Sequence, residues 1–348
     1  MKRIEAAAGS WTRRELLKAG VAMAWAVPAF AQAPARGGQR GAGGAAAAAP
    51  TGTQLVLLGT QGGPGVNANR TQASNAVIVD GRPYLVDCGY GALKAAVQAG
   101  LTLGNISNVF ITHLHDDHTA DIAALIALKW TASQTPGEAT IYGPYGTAAM
   151  VDAAIAFSRA NVEIRKVDEG RTVDPKTIFR GRDLNAPKIT EVFKDDRITV
   201  QAVENDHFPA RARAKMEYRS FCYRVNTATR SIVFSGDTAY SENLIALAQG
   251  ADVFVCEVLG NAAQTQNAAP ARGAAPANNN TESIARHVRE THSTPEEVGK
   301  MAAAAKVKTL VLSHQVGGGR GANADPYTAE IKKNFSGELI IGADQMRL

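Results

Sequence analysis

The 348-residue sequence predicts a mixed α/β fold, and three observations carry that reading. Short apolar runs rich in Val, Ile and Leu, bounded by Gly, Asn and Asp, recur early in the chain and again late, as strands do. Helix-forming windows stand between them in both halves. The third observation is the stretch I-T-H-L-H-D-D-H-T-A-D at 111–121, which holds three of the seven histidines. It lies where a β-prone run at 108–111 meets a helix former at 122–130, and strand ends of α/β folds are where ligands bind.

The chain opens on a segment that is not fold. T-R-R-E-L-L-K at 12–18 is followed by an apolar run at 19–27 and by P-A-F-A at 28–31, a small-residue cleavage site ahead of Gln32. In that order these features resemble a twin-arginine signal peptide over 1–31, which implies a periplasmic or secreted protein. The apolar run is too short to span a bilayer comfortably and no later segment is long enough, so no stable membrane association is expected. Residues 32–53, rich in Gly, Ala and Pro, cannot bury a core and are expected to form a disordered linker.

The remainder, 54–348, carries the regular elements. Strands are expected at 54–59, at 76–80 and 83–87 around the Asp80-Gly81 turn, at 108–111, and later at 192–203, 220–226, 231–235, 251–257 and 309–313. Helices are expected at 92–99, 122–130, 242–248, 294–304 and 327–333. A Gly/Pro/Asn loop falls at 62–69, and a low-complexity loop insertion at 261–280 interrupts the late half.

Composition is that of a soluble globular protein, 45% hydrophobic and 20% charged. Residues 1–31 carry Lys2, Arg3, Arg13, Arg14 and Lys18 against Glu5 and Glu15, a net of +3. The formal +5 of the whole chain therefore falls to +2 without them. A near-neutral domain argues against nucleic acid as the partner, because a dedicated binder more often shows a clear basic excess. Cys88, Cys222 and Cys256 allow at most one disulfide, contain no C-x-x-C pair, and lie in strand-like runs where buried free thiols are expected.

The histidine cluster has metal-ligand character. His113 and His115 alternate at the end of a strand, and Asp117 and His118 follow as the chain turns into helix, so imidazole and carboxylate donors converge as zinc or a similar divalent ion requires. His207 after 198–203, Asp237 in S-G-D-T and His314 in L-V-L-S-H stand at similar strand ends. Singly each is an ordinary loop residue or cap; together they make a set.

The order H-x-H-x-D-H, then a histidine, then G-D-T, then S-H resembles the metallo-β-lactamase superfamily, over the whole of 54–348. The resemblance implies a four-layer αβ/βα sandwich with two metal ions, Zn2+, at one edge. It implies that His113, His115 and His207 bind one ion, that Asp117, His118 and His314 bind the other, and that Asp237 bridges them. Asp87, in Y-L-V-D-C-G, matches the family's first motif, whose aspartate supports the metal loops from behind the ligands.

The carboxylate at 237, the segment L-L-G-T-Q-G-G-P, S-G-D-T and the H-S-T beginning at His292 resemble the branch that holds ribonuclease Z and the zinc arylsulfatases. That likeness implies that His292, oriented by Glu257, protonates the leaving oxygen. It also implies that Asp117 hydrogen-bonds a water whose pKa two ions lower toward about 7. On residues alone, His292 is equally a residue ahead of a helix whose Thr294-x-x-Glu297 forms a capping box.

The expected activity is hydrolysis of a small-molecule sulfate or phosphate (di)ester. A lactonase or β-lactamase on the same metals, or a ribonuclease Z-type 3'-tRNA processing activity, is the alternative. A non-catalytic metal-binding protein, the reading from another class, should have lost a ligand, and none is lost. Only a short connection, carrying Arg211, Arg213, Lys215 and Arg219, separates His207 from Asp237, where ribonuclease Z carries a long tRNA-gripping arm. With the charge balance and export, this argues against tRNA. The basic tract reads as a solvated surface or as an anion-binding rim. A homodimer is compatible with the family pattern.

Overall fold

The computed structural model describes residues 52–259, 281–316 and 325–348. The expected signal peptide, most of the expected linker and the expected 261–280 insertion lie outside them. Among the described residues no helix is long and apolar enough to cross a membrane.

Two seven-stranded sheets divide the chain at its middle. The first is built from β1 (Thr53–Gly59), β2 (Ser74–Val79), β3 (Arg82–Val86), β4 (Asn108–Phe110), β5 (Ala139–Gly143) and β6 (Phe179–Asp183). The second holds β7 (Thr190–Lys194), β8 (Ile198–Glu204), β9 (Phe221–Thr227), β10 (Ser231–Phe234), β11 (Val253–Leu259), β12 (Thr309–Val316) and β13 (Glu338–Ile341). The last strand, β14 (Met346–Arg347), returns to the first sheet and pairs antiparallel with β1. Each sheet runs in spatial order along the sequence, antiparallel in its first strands and parallel in its last.

The layering follows from side chains that alternate along unbroken apolar strands. Leu55 and Leu57 of β1 enter a core between the sheets, whereas Val56 and Leu58 face a core covered by helices. In β11 Val253 and Val255 point between the sheets, and Phe254, Cys256 and Val258 point to the opposite helical layer. A strand buried on both faces loses the polar alternation of a surface strand, which is why these runs read as continuous Val, Ile and Leu. The first sheet is covered by helices that include Ala92–Gln98, Ile122–Thr131 and Thr147–Phe157, with Trp130 fully buried beneath them. The second is covered by helices that include Glu242–Ala248, Pro295–Ala304 and Asp325–Lys332. Between the sheets Phe110 stacks on Tyr142 at 5.2 Å and meets Phe193 edge-on at 5.5 Å. The result is the expected αβ/βα sandwich.

Several elements differ from the expected ones. The run at 192–203 is a hairpin, β7 and β8, rather than one strand. Asp195 turns the chain by accepting from the backbone N–H of Arg197 and Ile198 at 2.8 and 2.9 Å, a local competition that a pattern of apolar residues hides. β5, β6, β13, β14 and the helices Thr147–Phe157, Arg159–Asp168 and Pro175–Ile178 were not anticipated. Cys88 sits in the loop after β3 rather than in a strand, although all three thiols are buried and free. The helix Pro295–Ala304 does start with the Thr294–Glu297 capping box.

Candidate metal centre

All strands that carry candidate donors deliver them at one edge of the sandwich. Asp87 follows β3, the His113–His118 segment follows β4, His207 follows β8, Asp237 follows β10, and Glu257 and His314 lie near the ends of β11 and β12. The backbone there is forced. Asp87 has φ 63° and His314 φ 41°, left-handed values that a non-glycine residue adopts only where its surroundings hold it. Gly236, at φ 57°, precedes Asp237; a Cβ there would come within 2.9 Å of the Phe221 carbonyl oxygen and of Thr112. The G-G-P loop passes so close to His314 that a Cβ on Gly62 would meet its ring at 2.7 Å, and the N–H of Gly63 donates to Asp117 Oδ2 at 2.8 Å.

Two donor sets result. His113 Nε2 lies 3.0 Å from His115 Nδ1, which lies 3.3 Å from His207 Nε2. Each of two outer nitrogens is anchored: His207 Nδ1 donates to the Thr291 carbonyl at 3.0 Å, and His113 Nδ1 lies 3.1 Å from the Thr112 hydroxyl. Asp117, His118, Asp237 and His314 form the second set. His314 Nε2 stands 3.2 Å from Asp117 Oδ2 and 3.2 Å from Asp237 Oδ1, and His118 Nε2 is 3.2 Å from the same Oδ1. The other oxygen of Asp237, Oδ2, faces His113 Nε2 at 3.8 Å. Asp237 therefore touches both sets.

Asp87 stands behind this arrangement. Its Oδ2 accepts from His118 Nδ1 at 2.9 Å and its Oδ1 from the Thr112 N–H at 2.8 Å, so it turns the His118 Nε2 toward Asp237. Glu257 Oε2 lies 2.7 Å from His292 Nδ1, which is 3.9 Å from Asp237 Oδ2. The pairing of Glu257 with His292 brings together residues from β11 and from the turn before the capped helix.

Electrostatics suit a cation. Burial lowers His113 well below its ordinary value, lowers His115, and takes His207 to about 3, so the first set consists of neutral imidazoles. Burial would push Asp117 and Asp237 upward, but His314 and His118 outweigh it. Asp117 is held at about 2 and Asp237 well below the carboxylate range. Neutral nitrogens 3.0–3.3 Å apart are spaced like the corners of a tetrahedron around an ion with bonds of about 2.0–2.1 Å. Asp237 Oδ1 and His118 Nε2, both buried and 3.2 Å apart, are not aligned for a hydrogen bond with each other or with any other described residue. Buried polar atoms left so are costly unless another group completes them. The donor sets fit divalent metal.

One histidine was missed. His287, on the helix Thr281–Thr291, brings its ring within 6.3 Å of His115, 5.9 Å of His207 and 5.9 Å of His292, so all seven histidines gather here. It follows no strand and belongs to no motif; its only sequence signal is that six of seven histidines already point to one site. The arginines of the basic tract are paired with carboxylates. Arg211 pairs with Glu290, Arg213 with Asp206 at 3.3 Å, and Arg219 with Glu204 at 3.7 Å.

Residues 82–315 match the Beta-lactamase superfamily domain, and the chain belongs to that superfamily. It is 31% identical over 307 residues to a ribonuclease Z of Mycobacterium sp. (strain KMS), covering 85% of this chain and 95% of that one. A ribonuclease Z of Mycobacterium avium (strain 104) is 28% identical over 305 residues, 85% of this chain and 97% of the relative. Among solved structures, the short form of human tRNase Z superposes with a TM-score of 0.59 at 20% identity, covering 85% of this chain and 98% of that one, which shows the shared fold. Fold and relatives define a metal-dependent hydrolase of ester bonds in the ribonuclease Z branch.

These relatives overturn the exclusion of nucleic acid. Ribonuclease Z is by name an RNA-cleaving enzyme, and the match runs along nearly its full length. Net charge was a poor guide, because a phosphodiester is gripped at a metal centre by local charge rather than by the sum over the domain. Sulfate-ester hydrolysis has no support among these relatives.

Proposed function

We propose that this chain is a binuclear zinc phosphodiesterase of the ribonuclease Z type that cleaves RNA. The single observation that carries the reading is the carboxylate of Asp237 set between two donor groups with the His292–Glu257 pair against it. Its supports are the donor chemistry and relatives called ribonuclease Z.

His113, His115 and His207 would hold one ion, Asp117, His118 and His314 the other, with Asp237 shared. Bound there, two divalent ions supply a water of pKa lowered toward about 7 and a Lewis acid for the phosphoryl oxygen. The protein's own groups do the rest. Asp117, ionised and fixed by Gly63 N–H, orients the attacking water. Glu257 Oε2, 2.7 Å from Nδ1, makes His292 the group placed to hold a proton; in the metal-free protein burial works against the charged ring, but Glu257 and Asp237 raise it to about 9. His292 delivers that proton to the departing alkoxide, which no metal needs to stabilise. Burial pushes Glu257 up and His292 pulls it back, so the pair holds one proton across a short bond. The likeness of 1–31 to a twin-arginine signal supports, in our reading, an activity outside the cytoplasm.

The test is cleavage of a 3'-extended tRNA and of bis(p-nitrophenyl) phosphate by the zinc-reconstituted mature chain. His292→Ala is expected to lower kcat by about 10²–10⁴ with metal content unchanged. Turnover of neither substrate by a fully metallated protein would refute the reading.

A further inference from the structure

Beside the His115 end of the metal centre opens a cleft of about 520 Å³ lined by Leu114, His115, Thr119, Met150, Phe208, Met216 and Tyr218. Its walls come from three parts of the fold: the loop after β4, the helix Thr147–Phe157, and the 208–219 segment. Phe208 sits at the boundary, its ring 5.7 Å from His115 and 4.8 Å from His207. Tyr218 is 47% exposed yet held in place, its ring 5.8 Å from Tyr145 and close against Gly146.

The chemistry of this lining is apolar, aromatic and sulfur-bearing. No acidic or basic side chain lines it apart from His115 itself. Thr119 turns its hydroxyl to the His115 carbonyl at 2.9 Å. The arginines of the neighbouring segment are spent on Glu290, Asp206 and Glu204. A second phosphate, a sulfate or a sugar finds nothing to hold it there. Flat π surfaces and polarisable thioethers suit a planar aromatic ring.

We propose that this cleft is a subsite for a planar aromatic group carried by the substrate on the ester arm retained after cleavage. The inference rests on the proposed phosphodiesterase activity. It follows from placement: Glu257 occupies His292 Nδ1, so Nε2 would protonate the departing oxygen, the departing group lies on the Nε2 side of His292, and the retained arm lies toward His115, which lines the cleft. A nucleobase and an aryl ester share the chemistry that the cleft recognises.

Three diesters with the same p-nitrophenolate leaving group separate the cases: methyl p-nitrophenyl phosphate, bis(p-nitrophenyl) phosphate and thymidine 5'-(p-nitrophenyl phosphate). An aromatic retained arm is expected to raise kcat/KM over the methyl diester by about tenfold or more, in line with stacking of one base. Preference for the thymidine arm identifies a nucleobase, and preference for the phenyl arm identifies an aryl ester. In Phe208→Ala and Tyr218→Ala the aromatic-to-methyl ratio should collapse toward one, and Tyr218→Phe should keep it.

Direct binding supplies a readout independent of turnover. Phenylphosphonate and thymidine 5'-phosphate, titrated into the metal-loaded protein by ligand-observed NMR, should show saturation transfer to the ring protons that Phe208→Ala abolishes. A ratio near one in the unaltered chain, or one untouched by both alanine variants, overturns the subsite. If no diester turns over, the functional reading fails, while ring binding lost in Phe208→Ala still supports the cleft and ring binding absent altogether still refutes it.

Discussion

The His292–Glu257 pair sets up a pH dependence whose size can be worked from the structure. In the metal-free protein His292 is buried to 8% exposure, and Glu257 at 2.7 Å helps raise it from an ordinary 6.5 to about 9. At about 1.4 kcal/mol per pH unit, this corresponds to about 3 kcal/mol in favour of the protonated ring. A group whose folded value is raised contributes stability that is complete below its unfolded value and is lost as pH rises through the folded one. The contribution should therefore be full below pH 6.5 and gone above pH 9.

In Glu257→Gln the strongest raising partner is gone and burial opposes only what Asp237 and Asp117 still contribute, so that window should flatten. Urea unfolding of both metal-free proteins at pH 6 and pH 9.5 reads the difference: the unaltered chain should lose about 3 kcal/mol more than the variant across the interval. Histidine NMR on the same samples should put the His292 ring near 9 in the former alone. A His292 that titrates at or below 6.5 in the unaltered metal-free chain would refute the argument that Glu257 holds its proton.

Further outcomes follow from the donor sets and from the helix that carries H-S-T. His115→Ala removes the one nitrogen in contact with both His113 and His207; it should empty the first set and abolish activity, read by metal quantification beside turnover. Asp87→Ala frees His118 from its 2.9 Å anchor and should weaken metal binding by about 10–100-fold in chelator competition. Thr294→Ala breaks the capping box and should cost about 1 kcal/mol of unfolding free energy while metal content stays unchanged, since Thr294 caps a helix and donates nothing to the cluster.

Local signals wrote much of this protein plainly. β1, β2, β3 and β9–β12 are short apolar runs between turn formers, and the capping box at Thr294 is a four-residue pattern whose partners are covalently near. The H-x-H-x-D-H segment is equally local, because strand alternation and one helical turn bring its donors together. Where a polar side chain competes with the backbone the pattern misleads, as at Asp195, which splits one expected strand into β7 and β8. The region between 132 and 190 stayed unread in part because β6, F-R-G-R-D at the sheet edge, is polar and mostly exposed, and because the Ala-rich helix Thr147–Phe157 shows little apolar periodicity.

What the sequence by itself determined was the donor inventory and the approximate strand ends on which those donors stand. Whether they meet was decided by tertiary structure, since His113 and His207, or Asp117 and His314, lie on different sheets and are joined only when both sheets present their strand ends at one edge. The same packing pairs Glu257 with His292, carries the unsignalled His287 to the rim and ties the basic tract to Glu290, Asp206 and Glu204. It also assembles the aromatic cleft from three separate segments. Covalent neighbours reveal themselves in sequence; groups brought together by burial of apolar faces do not, because the energy that joins them resides in Leu, Val and Phe elsewhere.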